Sequence, residues 1–236
     1  MPRIVAILIL LLANSLHAQI PSSPKLLDDD GKRQGQWTIL LNGQQTPVTD
    51  TALAVFYSVL TYKDGVVHGM QRTYFMDGTL HLETHFEHGV KEGLERQWYD
   101  SGVLQAERSF ANGEQHGQSI GYYPTGSKRY EAAHVAGKAE GMSRVWYESG
   151  ARQFETPYVD GKPHGLSTGW YESGELQFET PYVHGNVHGK ALHYDRDGRI
   201  ISETSYHQGM KHGVELLHHV DGTTTTRRWE NNARID

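Results

Sequence analysis

The strongest constraint on this chain is a period. The pattern Gly-x-x-His/Glu-Gly recurs at Gly65–Gly69, Gly89–Gly93, Gly113–Gly117, Gly137–Gly141, Gly161–Gly165, Gly185–Gly189 and Gly209–Gly213, with a step of 24 residues each time. A second glycine column (78, 102, 126, 150, 174, 198, 222) keeps the same step without a slip. Even the hexapeptide FETPYV appears twice, at 154–159 and 178–183. A fixed period in the range of 20–50 residues is the signature of a stacked repeat architecture, in which each unit is completed by its neighbours.

The two glycine columns divide each unit into runs of about eight residues that favour strands. In LSTGWYESGELQFETPY, Leu166, Thr168 and Trp170 alternate with Ser167, Gly169 and Tyr171, which is the period of a strand. The segment YESGE reads as a tight hairpin turn through Glu172 and Ser173, with Gly174 taking a positive φ. Continuing that register without interruption sets Trp170 opposite Leu176, Thr168 opposite Phe178 and Ser167 opposite Glu179. The predicted fold is all-β: an elongated single-layer antiparallel β-hairpin repeat array of about eight units. With strands about 4.8 Å apart, two per unit, it extends to roughly 75 Å.

The parts of the chain follow from this register. Residues 1–18 have one early positive charge, an apolar run over 4–13 and a small residue at Ala18, the layout of a secretory signal peptide. That predicts export, to a bacterial periplasm or beyond. Residues 19–30 form a linker, and 31–64 a degenerate first repeat beginning GKRQGQW and interrupted by an insertion over 44–54. Residues 65–222 hold seven regular units and 223–236 a terminal cap. Cysteine is absent, so stability rests on packing and hydrogen bonds without disulfides. The net charge of −6, with no basic cluster, argues against a nucleic-acid partner.

At this point the residues resemble a known family. YVDGKPHG and YVHGNVHG, each followed by a strand and an SG or DG turn, look like MORN repeats, over residues 31 to about 225. Two departures, the 24-residue unit and serine at 119, 143 and 167 where a further glycine is expected, resemble the bacterial MORN variant found in antitoxin-like proteins. The resemblance implies a β-hairpin array used for binding, as a scaffold for protein partners, with lipid contact proposed for some members.

Three columns are candidates for function. The tyrosines Tyr99, Tyr123, Tyr147 and Tyr171 follow an aromatic row that includes Trp98, Trp146 and Trp170. Adjacent strand residues point to opposite faces, so only one row is core. The Trp row is expected inside, with Leu176 and Phe178. The Tyr row is then either an exposed binding ladder or cross-strand support. A carboxylate column runs through Glu83, Glu107, Glu131, Glu155, Glu179 and Glu203, with Arg227 next in line to cap it. Its spacing of about 10 Å is too wide for shared-proton chemistry, and it favours structural carboxylates over an acidic binding strip. The return-turn column (His68, Glu92, His116, Glu140, His164, His188, His212) does not converge on one point, so backbone hydrogen bonding is expected there instead of metal binding.

No catalytic, cofactor or metal motif is found. The reading is an exported, non-enzymatic scaffold that binds a protein partner through a repeated aromatic and polar face. Inhibition of a toxin or hydrolase, or lipid or glycan binding at the envelope, are the alternatives.

Overall fold

The computed structural model describes residues 20–21 and 26–236. The expected leader over 1–18 lies outside the described residues, as does most of the linker. Apart from a 3-10 turn at Thr51–Leu53, every regular element described is a strand, and the pairings are antiparallel hairpins. The chain divides into two compact units, one ending at Glu114 and the other beginning at Gln115.

The first unit is a meander of Arg33–Leu41, Phe56–Lys63, Gly69–Phe75, Leu80–Glu87, Gly93–Trp98 and Leu104–Ala111. Its first strand would otherwise present an unpaired edge. Leu26–Leu27 pairs with one end of that edge, and Pro47–Val48, from the 44–54 insertion, pairs with the other. The insertion therefore blunts a sheet edge that would be open to adventitious strand addition. In the second unit, ten longer strands run from Glu114–Tyr122 to Thr224–Glu230, with the two-residue strands Lys162–Pro163 and Asn186–Val187 in return turns, and Ala233–Arg234 folds back on the last.

Two kinds of turn alternate. At the first, Gly174 N–H donates to the Tyr171 carbonyl (2.9 Å) and Tyr171 N–H to the Glu175 carbonyl (2.9 Å). This is the expected three-residue hairpin turn, closed by a left-handed glycine (φ 103°). At the return turn two successive residues are left-handed, as in Asp160 (φ 52°) and Gly161 (φ 76°). This is a type I′ geometry, whose twist matches that of the strands. The residue before the glycine is Asp, His, Asn, Ala or Gln in the seven units, and only Asp and Asn tolerate that region well.

One feature corrects the uninterrupted register. Trp170 pairs with Leu176 as expected, but Gly169 then pairs with Phe178, Thr168 with Glu179 and Ser167 with Thr180. Gln177 is the extra residue of a β-bulge, and the same shift recurs in six hairpins. Cross-strand partners share a face, so the bulge moves Phe178 to the side of Ser167 and moves Glu179 to the side of Trp170.

That shift also relocates the core. Trp98, Trp146 and Trp170 are half-buried and not the most enclosed row. The deepest positions are small and polar. In the first unit they are Ser58, Thr73 and Thr84, beside Trp37, Phe56, Tyr57 and Leu60; in the second they are Ser119, Thr156, Ser167, Ala191 and Thr204. Hydroxyls satisfy one another, as between Ser58 and Thr73 (3.0 Å) and between Thr156 and Ser167 (2.6 Å). Aromatic rings cross the sheet to cover glycine. A Cβ on Gly169 would lie 2.1 Å from the Phe178 ring, and one on Gly121 would lie 2.0 Å from the Tyr130 ring.

The duplicated FETPYV has a local cause. Pro157 and Pro181 sit inside paired strands, where a missing N–H normally forbids proline. Their carbonyls accept His164 N–H and His188 N–H (2.9 Å each), so the absent donors face the break before Gly165 and Gly189. The Pro157 ring occupies the space above Gly165 (φ 112°), where an added Cβ would come within 2.8 Å of Cγ. Proline and the second glycine are a matched pair across neighbouring repeats.

Candidate interaction surface

The predicted site divides between two structural roles. In the second unit the tyrosine hydroxyls are staples. Tyr123 Oη donates to the Trp146 carbonyl (2.7 Å), Tyr147 to the Trp170 carbonyl (2.9 Å) and Tyr171 to the Tyr194 carbonyl (2.8 Å). Each bond ties a hairpin turn to the next repeat. Tyr99, in the first unit, is also half-buried. In the second unit these hydroxyls link successive repeats.

The Glu column shares the Trp face and is laced with partners. In the first unit Arg72 Nε donates to Glu83 (2.8 Å) and Arg96 Nε to Glu107 (2.8 Å). In the second, Arg144 reaches Glu131 (3.0 Å) and Glu155 (3.5 Å) from between them. Arg152 also holds Glu155 (3.3 Å), and Tyr194 Oη donates to Glu179 (2.7 Å). Hydrogen bonds from Lys128 and then Arg144 outweigh desolvation and hold the Glu131 carboxyl below its ordinary range. The bond to Glu179, aided by desolvation, pushes Tyr194 up to about 12. Exposed pairs of this kind contribute about 0–1 kcal/mol each, so the ladder sets register more than stability.

Arg227 does not continue that column. The last hairpin has no bulge, so Arg227 pairs with Glu215 and not with Leu216, on the opposite face. There Glu215, 4% exposed, receives Lys211 (2.6 Å), Arg227 (3.4 Å) and Trp229 Nε1 (3.1 Å). Five repeats earlier Glu95 is enclosed in the same way by Lys91, Arg108 (3.4 Å) and Thr84 (3.1 Å). These two buried carboxylates were missed from sequence. Their signal was a lysine four residues ahead, found at 91 and 211.

The return-turn column accepts hydrogen bonds from the following turn. His164 Nδ1 accepts His184 N–H (3.4 Å), and His188 and His68 accept Gln208 and His88 N–H (3.5 Å each). Where the column holds Glu, Glu92 and Glu140 accept Asn112 N–H (2.9 Å) and Asp160 N–H (3.0 Å). The interchange of His and Glu is thereby explained, since both supply an acceptor to the strained left-handed residue of the next turn. Among the described residues no group of three or more His, Cys, Asp or Glu is placed to hold a metal ion.

A different column is presented to solvent. The residue after the second glycine is Met70 or Leu94 in the first unit, and in the second it runs Gln118, Met142, Leu166, Lys190 and Val214, apolar at three of five positions. Met70 and Leu94 are 37% exposed, Val214 42% and Leu166 47%. In the second unit Met142 and Leu166 pair with Pro157 and Pro181, on the face that also carries Trp146 and Trp170. Lys128 lies over the Trp146 ring (5.1 Å) and Arg152 over the Trp170 ring (5.5 Å). The result is an apolar row, a charged row and an aromatic row side by side. The sequence did contain this alternation, but Leu166 and Trp170 read as core until the bulge placed Phe178 opposite them.

A family model described as a MORN repeat variant matches residues 91–112 and 163–184. No curated protein matches the chain. Both matched segments begin in a return turn, run through the strand that follows the second glycine and its hairpin, and end at the next return turn. One matched segment of the MORN repeat variant lies in each of the two units.

Proposed function

We propose that this protein is an exported, non-catalytic binding module that engages a protein partner through the Trp-bearing face of its second unit. MORN repeats are in general modules for protein or membrane interaction and serve as non-enzymatic scaffolds. The observation that carries the reading is the exposed Leu166, paired with Pro181 on the face that also carries Trp170 under Arg152. Exposed apolar and aromatic groups within a polar, charged surround have the composition of an interface centre. The leader-like residues 1–18 support export.

A photo-crosslinking residue placed at Leu166, in the protein expressed in its own cells, tests the proposal. The expected result is a discrete protein adduct at 166 that is absent when the crosslinker replaces Val183, which is also exposed but lies in a return turn. Leu166→Asp should abolish capture of that adduct partner, and Tyr147→Phe should leave it intact. An adduct pattern independent of position, or no protein adduct at 166, overturns the proposal.

A further inference from the structure

The first unit carries a feature of its own on the same kind of face. Tyr57 and Tyr74 are cross-strand partners whose rings stack in parallel, with centroids 5.1 Å apart and planes at 17°. Tyr57 is 6% exposed, and burial raises its hydroxyl pKa. Around the pair lie Val59 and its cross-strand partner Arg72, Thr61 and its partner Gln36, and Met70, lining a groove of about 560 Å³. Pro21 also lines it, approaching from outside the sheet. Stacked aromatic rings, nearby side-chain donors and a proline already lining the groove are the elements by which an extended proline-bearing strand is held. The pyrrolidine packs on aromatic faces while side-chain donors meet carbonyls that have no internal partner. Arg72 is suited to the second task. Its Nε–H is fixed by Glu83 (2.8 Å), which orients the rest of the guanidinium fork.

We infer that this groove is a docking site for an extended, proline-bearing peptide, and that Ile20–Pro21 is its resident, tethered occupant. The inference stands independently of any partner at the second unit, because every lining residue belongs to the first. A tethered occupant acts at an effective concentration on the order of 1 mM. A free peptide with an intrinsic Kd of about 100 µM would therefore bind the native chain roughly tenfold more weakly than a chain whose own segment had been disabled.

The test uses the full chain and a fluorescent peptide, acetylated and amidated, of sequence QIPSSPK, followed by anisotropy. The double variant Ile20→Gly/Pro21→Gly should bind the peptide about tenfold more tightly than wild type. A peptide with alanine at both prolines should lose at least tenfold. In the released background Met70→Glu, at an exposed position that the fold does not depend on, should weaken binding severalfold, and Tyr74→Ala should abolish it. Equal binding of the alanine peptide, no gain on release, or full retention in the Met70→Glu variant overturns the inference.

Discussion

Gly169 offers the sharpest test of how the repeat packs. It pairs with Phe178, whose ring lies so close that an added Cβ would meet Cε1, Cζ and Cδ1 at 2.1, 2.6 and 2.7 Å. A contact below 3.0 Å is not sustained by real Cβ atoms, so the ring has to move. Overpacking of this kind costs about 1–3 kcal/mol. Against it stands the backbone gain from replacing glycine in a strand, about 0.5–1 kcal/mol. Gly169→Ala should therefore destabilise the protein by roughly 0.5–2 kcal/mol. In a Phe178→Ala background the ring is gone and only the backbone term remains, so the same substitution should stabilise by about 0.5–1 kcal/mol. The double-mutant cycle then yields a coupling equal to the overpacking cost, about 1–3 kcal/mol, with a reversal of sign. Urea unfolding followed by circular dichroism measures all four variants, with constancy of the m-value as the check that one cooperative transition is compared. If Gly169→Ala shifts stability in the same direction in both backgrounds, the ring-over-glycine account fails.

Three further outcomes follow from the same geometry. Tyr147→Phe removes only the hydroxyl that reaches the Trp170 carbonyl (2.9 Å), and should cost about 0.5–1.5 kcal/mol; the Tyr123, Tyr147 and Tyr171 triple variant should approach three times that value in thermal or urea unfolding. Ala136 holds a left-handed conformation (φ 48°) that costs an alanine about 1–2 kcal/mol, so Ala136→Gly should raise Tm by about 2–6 °C, measured by calorimetry. His81, stacked on Phe56 (4.7 Å) and enclosed, has its pKa lowered by burial despite its bond to the Trp98 carbonyl. Its folded form favours the neutral ring, so its contribution is present above the ordinary histidine value of 6.5 and is lost as pH falls through the depressed folded value; stability measured from pH 7 to 5 should fall less steeply in His81→Phe.

Most of the fold was legible because glycine punctuates it. Gly174 and its column require left-handed backbone, and the column at Gly161 does so after another left-handed residue, so the positions of both turns followed from spacing alone. The face assignments did not. The bulge at Gln177 adds no residue type that announces it; the same position is His81, Gln105, Arg129, Gln153 and Ile201 in other repeats. A one-residue slip exchanges the faces of everything beyond it. That is why Leu166 and Trp170 read as core, and why the glutamate column is found on the Trp face. Arg227 shows the converse. It keeps the spacing of the Glu column, but its hairpin lacks the bulge, and its side chain meets buried Glu215 instead.

The composition of the enclosed face also constrains where a partner can bind. In the second unit its most buried positions are Ser119, Thr156, Ser167, Ala191 and Thr204, with Glu215 and its cations at the far end. Hydroxyls that already bond one another, as at Thr156–Ser167, give an incoming protein little apolar area to cover there. Inserting a partner there would break bonded pairs in a low-dielectric setting, at about 1–3 kcal/mol for each group left unsatisfied. The opposite face has the reverse character: Leu166 and Val214 stand exposed, and the Trp rings lie under Lys128 and Arg152, which are themselves paired with Glu131 and Glu155. Asp substitutions at Leu166 and Val214 should therefore leave urea stability within about 0.5 kcal/mol per site, because these side chains are surface groups of the free protein. The same substitutions should abolish the crosslinked partner. A large loss of stability instead would mean that the row is core, and would return the binding surface to the tyrosine side.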